Sequence, residues 1–141
     1  MDAELLQKAP KVVLHDHLDG GLRPETIVEL AEENNYQDLP TTDVKKLSEW
    51  FHRGADRRDL SLYLETFQHT VGVMQTTDAC YRVAAECAED LATDGVVYAE
   101  VRYAPSLMTN EESSLDEVIE ATTAGFAEGS KNHFTSGNTP G

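Results

Sequence analysis

The sequence predicts an α/β fold in which parallel strands are joined by helical crossovers. Two runs carry strand character, residues 11–14 leading into His15-Asp16-His17, and residues 95–103, rich in β-branched and aromatic side chains. Helix-period segments lie between them and another follows the second, and the order strand, helices, strand, helix is that of a parallel sheet. In such architectures active sites gather at the carboxyl ends of strands, which is where the two histidines fall.

Each element has a local reason. Arg23-Pro24-Glu25 opens a helix with proline in its first turn, Ile27, Leu30 and Ala31 form its apolar stripe, and Asn34-Asn35 ends it. A second helix carries Val44, Leu47, Trp50 and Phe51, after which residues 53–58 read as a polar loop. A third sets Leu60, Leu64, Phe67 and Val71 on one face beside Tyr63, a spacing ordinary for core packing. The fourth runs from about Thr77 to Thr93, with Val83, Cys87 and Leu91 four apart and Asp94-Gly95 as its stop. Residues 95–103 then read as a buried strand whose Glu100 and Arg102 share a face, an arrangement that favours a structural ion pair over acid/base work. Ser114-Leu115-Asp116-Glu117 is a capping box, and the helix it starts uses Leu115, Val118, Ile119 and Phe126, with Gly129 as the expected stop. From Gly129 onward no acidic residue occurs, so residues 129–141 are expected to be an unrelated or disordered tail behind a domain of residues 1–128.

Composition narrows the partners. Twenty-six acids against eleven bases give a net charge of −15, which repels phosphate backbones and anionic lipid surfaces, so neither a nucleic acid polymer nor a membrane is an expected partner. Cys80 and Cys87 lie seven apart on one helical face and read as small packing residues, which favours a reducing, cytoplasmic compartment. The acidic amino terminus has no following apolar stretch of the export-signal kind.

A His-x-His pair alone is a weak sign of a metal site. Here it ends an apolar strand, where side chains two apart share a face, and the next residues supply Asp19 and then two glycines that let backbone approach a ligand. The alternative is that His15 caps the strand by hydrogen bonding while His17 stands in solvent. His52 and His69 fall in helical stretches, His133 lies in the expected tail, and Asp16 faces away from its neighbours, so none of these completes a ligand set.

Pro10-Lys11-Val12-Val13-Leu14-His15-Asp16-His17-Leu18-Asp19-Gly20 closely resembles the first-strand motif of the adenosine deaminases, a family of the metal-dependent amidohydrolase superfamily. Leu22-Arg23-Pro24-Glu25-Thr26 resembles the start of that family's first helix, and residues 95–105 resemble its second strand and following loop. The resemblance implies an incomplete amino-terminal part of a TIM (β/α)8 barrel, with a helical insertion between the first two barrel strands. It implies zinc, one per complete subunit, with His15 and His17 as ligands. His17, Asp19 and Gly20 would lie against a small-molecule purine nucleoside, Asp19 taking a hydrogen bond from the ribose 5′-hydroxyl and Gly20 allowing close approach. Leu60, Tyr63, Leu64 and Phe67 become an apolar gate over the purine pocket.

The implied reaction is hydrolytic deamination of adenosine and deoxyadenosine to inosine and deoxyinosine in purine salvage, zinc activating water for attack at C6 while a glutamate protonates N1. A Cys-x-x-Cys motif is absent, which sets aside the smaller zinc deaminase fold. The third histidine, the metal-binding aspartate and the proton-donating glutamate of a His-Ala-Gly-Glu-type segment are not among the 141 residues, so no catalytic residue is assigned here. The expectation is a truncated fragment, inactive alone, with that glutamate downstream. The alternatives are an inactive remnant or interaction segment, and another purine-type deaminase of the superfamily, such as an adenine deaminase.

Overall fold

A computed structural model of the chain describes residues 2–56 and 60–134. Helix α1 (Ala3–Lys8) leads into strand β1 (Lys11–His17), and a single 3-10 turn, Leu18–Gly20, follows the strand directly. Four helices come next, α2 (Pro24–Glu33), α3 (Val44–Asp56), α4 (Leu60–Val73) and α5 (Thr77–Thr93). Strand β2 (Val96–Arg102), a second 3-10 turn at Pro105–Leu107 and helix α6 (Leu115–Phe134) complete the order. The strands pair in parallel as a two-stranded sheet, joined by the helical excursion α2 to α5.

Helix ends follow the chemistry of their caps. Pro24 occupies the first turn of α2, and Asn35 takes the left-handed conformation (φ 53°) just past its end. Thr76 caps α5 by accepting from the Ala79 N–H at 3.1 Å. At the start of α6, Glu117 accepts from the Ser114 hydroxyl at 2.7 Å and from the Ser114 N–H at 2.9 Å, which is the capping box read from sequence.

Three expectations need correction. Helix α3 continues through Arg53-Gly54-Ala55-Asp56 instead of breaking into a loop, because Gly54 is buried in the helix and the polar neighbours are simply its solvent face; Arg57 and Arg58 lie outside the described residues. Gly129 does not stop α6, which runs on to Phe134. Gly125 and Gly129 are one turn apart on the face meeting α5, and a Cβ at either would collide with the Tyr81 or Ala85 carbonyl, so both are there for close helix packing. The rest of the expected tail, residues 135–141, lies outside the described residues. Finally, β2 is not a buried strand: Val97, Tyr98, Glu100 and Arg102 are exposed, since nothing described here covers that side of the sheet.

The core sits on the other side. Ile27, Leu30, Leu47, Val73, Met74, Val83 and Val118 are buried where the helices meet, with half-buried Val101 of β2 packed against them. Arg23 locks α2 to α5 by a paired hydrogen bond to Asp90 (2.7 and 3.0 Å) and one to Glu89 (3.1 Å), and Thr26 donates to Glu86 at 2.6 Å. Lys11 ends α1 by donating to the Leu6, Gln7 and Ala9 carbonyls. Gly95, at φ +78°, makes the turn into β2 beneath those carbonyls, where a side chain would be both strained and crowded.

Candidate metal and nucleoside site

Strict alternation along β1 would put His15 and His17 in phase with Lys11 and Val13, the half-buried residues on the helix side. The register prevents this. Val13 pairs with Ala99 and Asp16 with Val101, so Leu14 and His15 together stand opposite the single residue Glu100. A bulge of this kind shifts the phase by one residue. Both histidines thereby join Val12 and Leu14 on the open face, and Asp16 turns to the helix side, where its charge acts on the Cys87 thiol.

The imidazoles then converge. His15 Nε2 lies 3.1 Å from His17 Nε2, and the ring centroids are 5.1 Å apart. Two nitrogens held at about 2.0–2.1 Å by one tetrahedral zinc stand roughly 3.3 Å apart, so this spacing suits two ligands of a single ion. Asp16 Oδ1 accepts from the His17 N–H at 3.0 Å and fixes the strand end without turning toward the pair.

Asp19 follows in the 3-10 turn. Only 8% of it is exposed, and its Oδ1 is buried with no hydrogen-bond partner, 3.9 Å from His17 Nδ1. A buried carboxylate oxygen without a partner is costly in a finished protein, and so marks a place made for one. Two imidazoles with an unsatisfied carboxylate behind them could supply part of a metal site, while no group of three or more His, Cys, Asp or Glu side chains placed to hold a metal occurs among the described residues.

Helix α4 flanks the turn. Phe67 meets His17 edge-on at 6.5 Å between centroids, and Tyr63 packs edge-on against Phe67 at 5.2 Å. A Cβ on Gly20 would reach 3.4 Å from the Phe67 ring, an ordinary van der Waals contact, so the turn lies alongside this helix. Leu60, Tyr63 and Leu64 are exposed, which overturns the core reading of their stripe: α4 presents an apolar face outward instead of burying it.

A depression of roughly 240 Å³ is lined by His17, Asp19, Arg102, Tyr103 and Ala104. The last three went unassigned from sequence, although parallel pairing of His17 with Arg102 is the signal that brings the end of β2 to the same place. Glu100 and Arg102 do not form the expected ion pair; Glu100 instead accepts from the Tyr98 hydroxyl at 2.9 Å, raising the Tyr98 pKa. His69 sits elsewhere, bonded through Nδ1 to the Tyr36 hydroxyl at 3.0 Å, with burial lowering its pKa. Cys80 and Cys87 are free thiols held protonated by burial, their pKa values raised to about 11 and about 12. No described helix is long and apolar enough to cross a membrane.

Solved structures share this layout. The chain matches an adenine deaminase from Arthrobacter aurescens with a TM-score of 0.72 and 27% identity, covering 86% of this chain and 36% of that one. It matches an N6-mAMP deaminase from Arabidopsis with a TM-score of 0.64 and 25% identity, over 91% and 37% of the two chains. A zinc-bound amidohydrolase from Burkholderia ambifaria, at 20% identity, shares the fold with a TM-score of 0.74 over 94% and 36%. The fold is thus an α/β piece of the kind found in amidohydrolases and purine deaminases, its short parallel sheet consistent with part of a barrel. More narrowly, the family model described as adenosine deaminase matches residues 10–136, and the chain belongs to the adenosine deaminase family. Adenosine deaminase 1 of Streptomyces coelicolor is 64% identical over 126 residues, 89% of this chain and 32% of that protein. The adenosine deaminase of Mycobacteroides abscessus is 55% identical over 137 residues, 97% and 38% respectively. The chain therefore spans about a third of the length of the curated relatives it matches.

Proposed function

We propose that this chain supplies the first two metal ligands and the ribose-contact turn of a zinc-dependent deaminase of adenosine and deoxyadenosine, acting in purine salvage. The observation that carries this reading is the convergence of His15 Nε2 and His17 Nε2 at 3.1 Å beside the unpartnered Oδ1 of Asp19. His15 and His17 would hold the metal, which when bound supplies Lewis-acid activation of water for attack at purine C6. Asp19 orients the nucleoside by accepting from the ribose 5′-hydroxyl, and Gly20 lets the sugar approach the turn. Leu60, Tyr63, Leu64 and Phe67 cover the purine and exclude bulk water. Proton delivery to N1 is a task for a glutamate that these 141 residues do not contain, so the chain alone is inactive. In the complete TIM barrel the open strand face, with Val12, Leu14 and Tyr98, lines the interior. The nucleoside is favoured over free adenine because the exposed edge of the Asp19 carboxylate, which borders the depression beside His17, gains a donor from a sugar hydroxyl that free adenine lacks.

The test is a chimera in which residues 10–128 replace the matching segment of the Streptomyces coelicolor relative. It is expected to deaminate adenosine and deoxyadenosine, followed by ultraviolet absorbance, and to lose activity on His15→Ala or His17→Ala. Turnover of adenine in preference to adenosine would overturn the substrate assignment. Zinc-dependent turnover by the 141-residue chain alone would overturn its inactivity.

A further inference from the structure

The state of the two imidazoles changes when a metal enters. His15 Nε2 and His17 Nε2 stand 3.1 Å apart, within hydrogen-bond distance, with the donor set by which tautomer each ring adopts. With both Nε2 atoms engaged by a metal, each neutral ring would carry its hydrogen on Nδ1. For His17 an acceptor already waits: Asp19 Oδ1, buried, unpartnered and 3.9 Å from Nδ1, about 1 Å beyond hydrogen-bond length. For His15 Nδ1 no partner occurs among the described residues.

We propose that Asp19 is the positioning carboxylate of His17: it accepts a hydrogen bond from His17 Nδ1–H, selects the tautomer that leaves Nε2 free for the metal, and so couples metal occupancy to the nucleoside turn. This rests on the zinc reading above and adds to it a second task for Asp19. One oxygen is buried toward His17, while the part of the side chain that remains exposed, 11%, borders the depression lined by His17, Arg102 and Tyr103. A single carboxylate can therefore serve ring and sugar at once, one oxygen to each. Outer-shell partners of this type are what hold ligating imidazoles in the productive tautomer and orientation. Because the carboxylate lies on a rigid turn only two residues after its histidine, a displaced sugar-binding turn also displaces the ligand.

The experiment is a zinc titration of the chimera described above, in which the remainder of the relative completes the ligand set, read by long-range ¹H–¹⁵N spectra of the imidazoles, for the unsubstituted chimera as wild type and for its Asp19→Ala, Asp19→Asn and His15→Ala variants. Wild type is expected to show both Nε2 signals shifting with zinc, and a His17 Nδ1–H signal protected from exchange. Asp19→Ala is expected to weaken zinc binding about 10–100-fold and to lose that protection. Asp19→Asn, whose amide oxygen still accepts, recovers most of both, and His15→Ala abolishes the titration. Zinc affinity within twofold of wild type in Asp19→Ala, with the His17 Nδ1–H signal unchanged, overturns the proposal. So does weakened binding that Asp19→Asn fails to rescue, since far-ultraviolet circular dichroism of the three chains would then report the role as structural. Absence of any zinc shift in the wild type is a different result: it removes the metal reading itself, and this inference with it.

Discussion

The two sides of the β1–β2 sheet are built on opposite terms. On the helix side, side chains are buried and polar groups are paired, as with Arg23, Glu89 and Asp90, or Thr26 and Glu86. On the open side stand Val12, Leu14 and Tyr98, exposed, together with His15, His17 and the unpartnered oxygen of Asp19. The helix side is a finished core, and the open side is an array of groups waiting for something else. Stability should therefore be concentrated on one side and function on the other, and each substitution below tests that division.

The largest contrast pairs two leucines. Leu47 is fully buried, so Leu47→Ala is expected to cost about 2–5 kcal/mol by leaving a cavity in the core. Leu14 is 61% exposed on the open face, and Leu14→Ala should change stability by under about 0.5 kcal/mol. Urea denaturation of both variants checks this. Equal losses would mean that the open face is covered in solution. Next in size is Gly129→Val, which places a side chain against the Ala85 carbonyl and must separate α5 from α6. Overpacking of this sort costs about 1–3 kcal/mol. A neutral result would place Gly129 outside the helix interface, in the tail that composition alone had suggested.

How much of this was legible beforehand depends on range. Caps, proline at the α2 start and the apolar periods of α2 and α5 are local, and each was readable from a few neighbouring residues; of the stripe expected on α6, Val118 and Phe126 pack inward while Leu115 and Ile119 stand exposed. The errors share a cause. Residues 53–56 and Gly129 looked like breaks because polar residues and glycine disfavour helix in isolation, whereas close packing on α5 requires glycine at 129. The stripe on α4 and the residues of β2 looked like core because apolar spacing says that a face will be covered, not by what. At the site, the pairing of His15 with His17 follows from spacing, but the face they occupy does not. That depends on the bulge opposite Glu100, a long-range feature of strand pairing with no local signature. Arg102 and Tyr103 enter the site through the same pairing, which single-strand patterns do not contain.

Smaller effects belong to the rim of the helix side. Arg23 is partly exposed and binds three carboxylates of α5, which holds its guanidinium firmly charged. Exposed ion pairs contribute little individually but more as a network, so Arg23→Met is expected to cost about 0.5–1 kcal/mol at low salt and less at high salt. Thermal denaturation at two ionic strengths separates the charge contribution from the lost packing of the side chain's stem. A salt-independent loss would assign the effect to packing alone.

The smallest expected effect lies on neither side of the sheet, at the exposed start of α6. The hydrogen bond from the Ser114 hydroxyl, aided by the Ser114 N–H, holds Glu117 below its ordinary carboxylate pKa. A carboxylate whose folded pKa is depressed contributes stability that is complete above the unfolded value, 4.5, and is lost as pH falls through the folded one. At neutral pH Glu117→Gln should slightly speed amide exchange at Val118 and Ile119, because the amide keeps the reach of the capping box but not its charge. Once Glu117 is itself protonated it resembles glutamine, so the difference from wild type should disappear in acid. Exchange rates compared at matched intrinsic chemistry across this range measure it. A difference that persists unchanged in acid would show that Glu117 acts by packing, and would extend the helix side's dependence on shape to a residue that stands in water.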